Sequence, residues 1–232
     1  MKMNLDKAVI SGDIVAFTSL SDAERSIVEE AVKQLLIELE NQFKGFSRII
    51  KGDYLEYYLP NPKDALRVAL AVKCFIKAIP VRLSPLEKKA KLFKMHGIRL
   101  AIGIGKISRF NPDKGIIDGE AIYFSGRTLE ENASYNKGKS ITKKTLFIKT
   151  NNENLNSQLE PLFALLDVLL SKSTAKQSEV IYLKLLGNNE EAIAEKMKII
   201  QSTVNQHSTS AGWNAIEQAV LFFEKVVQTI LE

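Results

Sequence analysis

Two strand-like runs, Phe46 to Ile50 and Tyr54 to Leu59, flank Lys51-Gly52-Asp53, and the pair follows directly on a long stretch of helical spacing. Gly-Asp tolerates the positive φ that tight turns need, so the two runs are expected to pair as a hairpin. Ahead of them, Ala8 to Phe17 is short and apolar, and Asp22 to Phe43 is helical in pattern, with Ser21 or Asp22 as cap and acids in its first turn. Behind them, Pro60 and Pro62 close the hairpin, Asp64 to Ile79 is apolar at helical spacing, Gly97 to Gly105 reads as a strand, and Gly119 to Asn132 as another helix. The order β-α-β-β-α-β, with a further helix, predicts an α+β, ferredoxin-like unit: an antiparallel sheet with helices on one face. A right-handed crossover through the long helix makes the first two strands parallel with the third between them. The Gly52-Asp53 turn then lies beside the end of the first strand, and Asp13 and Asp53 become neighbours.

The stretch from Lys137 to Glu160 is polar, contains Asn151-Asn-Glu-Asn-Leu-Asn156, and reads as a linker, with Pro161 marking the next domain. The chain thus divides into residues 1–150 and 158–232, the second part all helical. Leu162 to Leu170 and Lys176 to Leu186 are helix-like, the latter ended by Gly187 with Asn188 or Asn189 free to cap the next helix. Glu190 to Gln206 reads as a helix-turn-helix: Ile193, Met197 and Val204 fall on buried faces and small Ala194 lets the helices cross closely. Gln201, Ser202, Thr203, Asn205 and Gln206 then point outward, short polar groups suited to base edges and phosphates, with Lys198 in the turn. Lys198 stands where glycine is commonest, and His207 where an apolar residue usually packs. Ile216 to Leu231 is so apolar that it is either broadly buried or a dimer seam.

Lysines and arginines number 32 against 27 acids, a net charge of +5, yet the excess is uneven. From residue 161 onward six lysines face eight acids, so the helix-turn-helix half is acidic and the first half carries the positive charge. It concentrates between Arg82 and Arg109 and in the acid-free segment Lys137 to Lys149, read either as lysine-rich surface or as a phosphate track. The lone cysteine, Cys74, lies in an apolar run and takes a core role, as in a reducing compartment. No signal-peptide pattern and no membrane-length apolar run is present, so a cytoplasmic protein is expected.

Gly12-Asp-Ile-Val-Ala-Phe-Thr18 resembles the first metal-binding strand of class III nucleotide cyclases, and Lys51-Gly52-Asp53 their second metal-binding hairpin. His96-Gly-Ile-Arg-Leu-Ala-Ile-Gly-Ile-Gly105 is similar to the next strand, and Gly119 to Arg127 to the helix that carries the family's transition-state arginine. The resemblance implies Mg²⁺ at Asp13 and Asp53, a phosphate ligand near Lys51, Gly52 and Arg127, and a site built between two subunits. The family's base-selecting lysine and carboxylate are replaced here by Ile49 and Ile116, and its ribose-orienting asparagine by Tyr123; Lys51 and Asp118 stand close by. Without those orienting contacts the in-line geometry of cyclisation is forfeited, so no residue is assigned a catalytic role. Structural alternatives stay open: Asp13 as a cap, Asp53 as a turn residue, Arg127 paired with Glu130 or Glu131.

A cyclase-like domain followed by a helix-turn-helix resembles the layout of the SatD family of bacterial proteins. The expectation is a homodimeric DNA-binding regulator whose first domain dimerises or senses a nucleotide or other phosphate ligand. The alternatives are a divergent Mg²⁺-dependent cyclase or phosphoryl-transfer enzyme, and a module whose last helix binds a protein partner.

Overall fold

The computed structural model describes residues 6–81, 88–134 and 144–231. Its first strand, β1 (Lys7–Ile14), leads into α1 (Asp22–Phe43), which starts at a capping box. Ser21 Oγ accepts from the Glu24 N–H, and the Glu24 carboxylate accepts from the Ser21 N–H at 3.0 Å, so two otherwise orphaned donors are satisfied. β2 (Phe46–Ile50) and β3 (Tyr54–Leu59) form the expected hairpin, but the positive φ falls on Lys51 (56°) and Gly52 (76°) rather than on Gly-Asp. α2 (Ala65–Ala78), α3 (Lys88–His96) and β4 (Ile98–Gly105) follow. A short ribbon of β5 (Ile107–Asn111) and β6 (Ile116–Gly119) precedes α4 (Glu120–Ser134).

The sheet runs β2-β3-β1-β4, every pair antiparallel, so β3 lies between the parallel β1 and β2 as the crossover argument requires. A fifth strand, β7 (Leu146–Thr150), adds parallel to β4, making the sheet mixed rather than antiparallel. The polar stretch read as a linker therefore carries, in its described part, a paired strand and the start of α5 (Glu153–Lys172). Pro161 sits inside that helix, not ahead of it.

Helices cover both faces of the sheet, not one. Ala8, Ile10, Leu55, Leu59, Leu100 and Ile102 point to the side packed by α1 and α2, in a core that continues to Phe163, Val180, Ile216 and Phe223 of the helical half. On the opposite face α4 lies against Val9 and Ala101. Gly103 permits this, because a Cβ there would stand 2.0 Å from the Ala121 carbonyl oxygen and 2.7 Å from the Ser125 nitrogen. Ser11 and Ser125 share a hydrogen bond of 2.8 Å across the same contact.

The helical half continues with α6 (Ala175–Leu185), α7 (Glu190–Met197), α8 (Gln201–Ser210) and α9 (Trp213–Leu231). Asn189 caps α7 by accepting from the Ala192 N–H at 2.9 Å. α9 buries Ile216, Val220, Phe223 and Val227 and leaves Leu221 and Phe222 exposed, so it is core on one side only. Among the described residues no helix is long and apolar enough to cross a membrane.

Candidate functional site

Register brings the site together. Asp13, near the end of β1, pairs with Tyr54 on β3 and with Arg99 on β4. Directly opposed residues share a face, and the Arg99 guanidinium accordingly donates to Asp13 Oδ2. The hairpin turn is tied to the same spot, because the Ile14 N–H donates to the Asp53 carbonyl at 2.9 Å. Beyond it the Val15 N–H donates to the Gly97 carbonyl at 2.9 Å, and Ala16 turns left-handed at φ 57°.

The result is an open cleft of ≈310 Å³, lined by Asp13, Asp53, Arg99, Phe17, Thr18 and Ser19 among others. Asp13 and Asp53 thus converge, as the topology predicts. Partial burial, and then the charge of Asp13, push the Asp53 carboxyl above its ordinary value.

Lys51, Gly52 and Arg127 are not themselves among the residues lining this cleft. Lys51 is exposed at the tip of the hairpin, and Gly52 is its turn glycine, whose φ of 76° suits no other residue as well. Arg127 is exposed on α4 with its guanidinium 5.6 Å from the centre of the Tyr123 ring, and Tyr123 donates to Asp118 at 2.5 Å. Arg127 is not among the residues lining the cleft of its own chain. The cap of α1 is Ser21, which removes the reading of Asp13 as that helix's cap.

Two carboxylates facing one cleft suit a single hard cation, since Mg²⁺ is commonly held through one or two carboxylates completed by phosphate and water. Among the described residues no three His, Cys, Asp or Glu side chains gather to hold a metal, and Asp13 is already ion-paired. Arg99 is the residue that sequence reasoning missed, counting it only as part of a basic stretch. The signal was its place opposite Asp13, which spacing along one strand does not reveal.

The second candidate site lies on α7 and α8. Ile193 and Val204 are fully buried and Met197 packs at the core's edge, while Gln201, Ser202, Asn205 and Gln206 are exposed and Thr203 half-buried. Lys198 adopts φ 54°, the left-handed conformation that glycine would give, and the Ile199 N–H closes the turn onto the Ala194 carbonyl at 3.0 Å. His207 is half-buried. Of the basic stretches, Arg82 and the part of 137–149 before Lys144 lie outside the described residues. Lys144 and Lys149 are paired with Glu160 and Glu153 on α5, at 3.1 and 2.6 Å.

Fold and cleft together define a mixed α/β unit with an acidic opening at one end of its sheet, followed by a helical half. No family model matches the chain, and no curated protein does. Solved structures similar to it include nucleotide cyclases. A bacterial light-regulated adenylyl cyclase has a TM-score of 0.43 at 13% identity, over 62% of this chain and 43% of that one. The guanylyl cyclase Cya2 has a TM-score of 0.37 at 13% identity, over 53% of this chain and 68% of that one. The adenylyl cyclase CyaB from P. aeruginosa has a TM-score of 0.34 at 13% identity, over 55% and 72%.

Proposed function

We propose that this protein is a DNA-binding regulator in which a degenerate, cyclase-like unit (residues 1–150) takes a phosphate-bearing ligand and a helix-turn-helix (residues 158–232) reads DNA. The observation that carries the reading is the face of α8. Gln201, Ser202, Asn205 and Gln206 stand exposed on a ten-residue helix whose other side is locked by Val204 and Ser208. Ile200 is 70% exposed at the start of α8, where a recognition helix meets base edges and an apolar group can contact a thymine methyl.

This layout is the one that resembles the SatD family, and the βαββαβ core is ferredoxin-like in strand order. The protein acts as a homodimer in this reading, with paired half-sites on DNA and with Arg127 of one copy brought to the Asp13–Asp53 cleft of the other. Glu190, Glu191 and Glu195 make the first helix of the reader acidic, so Lys196, Lys198 and the basic surface of the first unit supply the phosphate contacts. Selection from a random DNA pool tests this. Wild type enriches a paired motif, and the Asn205→Ala/Gln206→Ala protein loses the preference; equal enrichment by both removes α8 as the reader.

The second reading is a divergent Mg²⁺-dependent phosphoryl-transfer enzyme, favoured by the convergence of Asp13 and Asp53 on an open cleft. Incubation with each nucleoside triphosphate and Mg²⁺ or Mn²⁺, followed by product analysis, separates the two. Turnover that disappears in Asp13→Asn establishes the enzyme.

A further inference from the structure

Arg99 changes what the cleft can hold. Its guanidinium and the Asp13 carboxylate are 19% and 27% exposed, shielded enough that their attraction is not fully screened. Asp53 has no ion-pair partner among the described residues. A divalent cation arriving alone therefore finds one free carboxylate and a second that must first be pulled from Arg99. An anion arriving alone meets the Asp53 carboxylate, which makes no ion pair among the described residues, and finds the guanidinium occupied. Each ligand removes the obstacle to the other: a cation on Asp13 releases Arg99, and the released guanidinium offers a planar fork of donors to phosphate oxygens.

We infer that Arg99 makes the cleft bind a divalent cation and a polyphosphate anion as a pair and neither one well alone. The inference rests on the proposed reading of the cleft as a phosphate site and names Arg99 as the residue that sets its ligand, a metal–polyphosphate complex. Coupling of this kind is reciprocal, so it is measurable from either ligand.

The full-length protein is titrated with Mn²⁺ while free Mn²⁺ is followed by electron paramagnetic resonance, and separately with inorganic triphosphate in EDTA by calorimetry. Wild type binds each weakly. Arg99→Gln frees Asp13 and tightens Mn²⁺ binding by about tenfold, whereas Asp13→Asn frees Arg99 and tightens triphosphate binding in EDTA by a similar factor. Arg99→Lys, which keeps the charge, falls between wild type and Arg99→Gln and serves if the latter does not fold. Mn²⁺ affinity unchanged or lower in both folded Arg99 variants, with the Mn²⁺–triphosphate pair still bound by wild type, overturns the coupling and leaves the phosphate site standing. Failure of wild type to bind even the pair overturns both.

Discussion

Lys73 on α2 and Asp167 on α5 form a buried ion pair, Nζ to Oδ1 3.5 Å, that joins the sheet unit to the helical half. Lys73 also donates to the carbonyls of His96 and Ile98, at 3.3 and 2.9 Å, and to the Thr145 hydroxyl at 2.6 Å. Asp167 in turn accepts from the Thr145 N–H and hydroxyl, both at 2.5 Å. Burial pulls the lysine toward its neutral form, and Asp167 opposes this. The segment it holds is the one that reaches the cleft: Gly97 anchors Val15, and Arg99 pairs with Asp13. Lys73→Met leaves Asp167 buried without its cation and should cost about 3–5 kcal/mol. Denaturant titration of Lys73→Met, Asp167→Leu and the double variant checks it; a double variant as unstable as the sum of the singles denies the coupling.

Gly103→Ala should cost about 3 kcal/mol or more, because the new methyl meets helix backbone at 2.0 Å and nothing soft can yield. Gly115→Ala is the control: its φ is 61° but no atom lies within 4 Å of the added Cβ, so only backbone strain of about 1 kcal/mol is expected. Comparable melting temperatures for the two variants contradict the account of how α4 docks.

Legibility in the sequence follows how local each cause is. β1 to β4, α1, α2 and α4 announced themselves through hydrophobic period, the Ser21 cap and the Gly52 turn. β7 did not, because Leu146 to Ile148 offers three apolar residues in a polar tract and becomes a strand only by pairing with β4. The covering of both sheet faces turns on Gly103, which on its own reads as an ordinary strand glycine. The approach of Asp13 to Asp53 was legible from topology, whereas the Arg99 pair depends on the β1–β4 register, which no spacing in the chain encodes.

Lys198→Gly should stabilise the protein by about 0.5–1 kcal/mol, since glycine adopts φ 54° without the Cβ penalty. The same change removes an exposed charge from the turn. In the DNA-binding reading it weakens binding evenly across sequences and lowers the salt slope by about one. Thermal melts and salt-dependent titrations report the two effects separately, and a fall in stability refutes the strain argument.

Cys74 is 1% exposed, and burial pushes its thiol up to about 12. At pH 8 the native protein should resist a thiol reagent and react only at the rate of opening, while the chain in denaturant reacts at once. Rapid native labelling contradicts the placement of α2 in the core.

In the proposed DNA-binding reading, linkage between the cleft and the α7–α8 surface is tested by fluorescence anisotropy on the selected DNA motif, with Mg²⁺ and nucleoside triphosphate together and then with EDTA. Ile14 and Phe17 beside the cleft and Ile193 and Val204 behind the α7–α8 surface belong to one continuous core, so the ligand pair should shift the DNA affinity by about tenfold, and Asp13→Asn should abolish the shift. The same DNA affinity under both conditions, in a wild type that demonstrably binds the ligand pair, contradicts a regulator whose cyclase-like unit governs its helix-turn-helix.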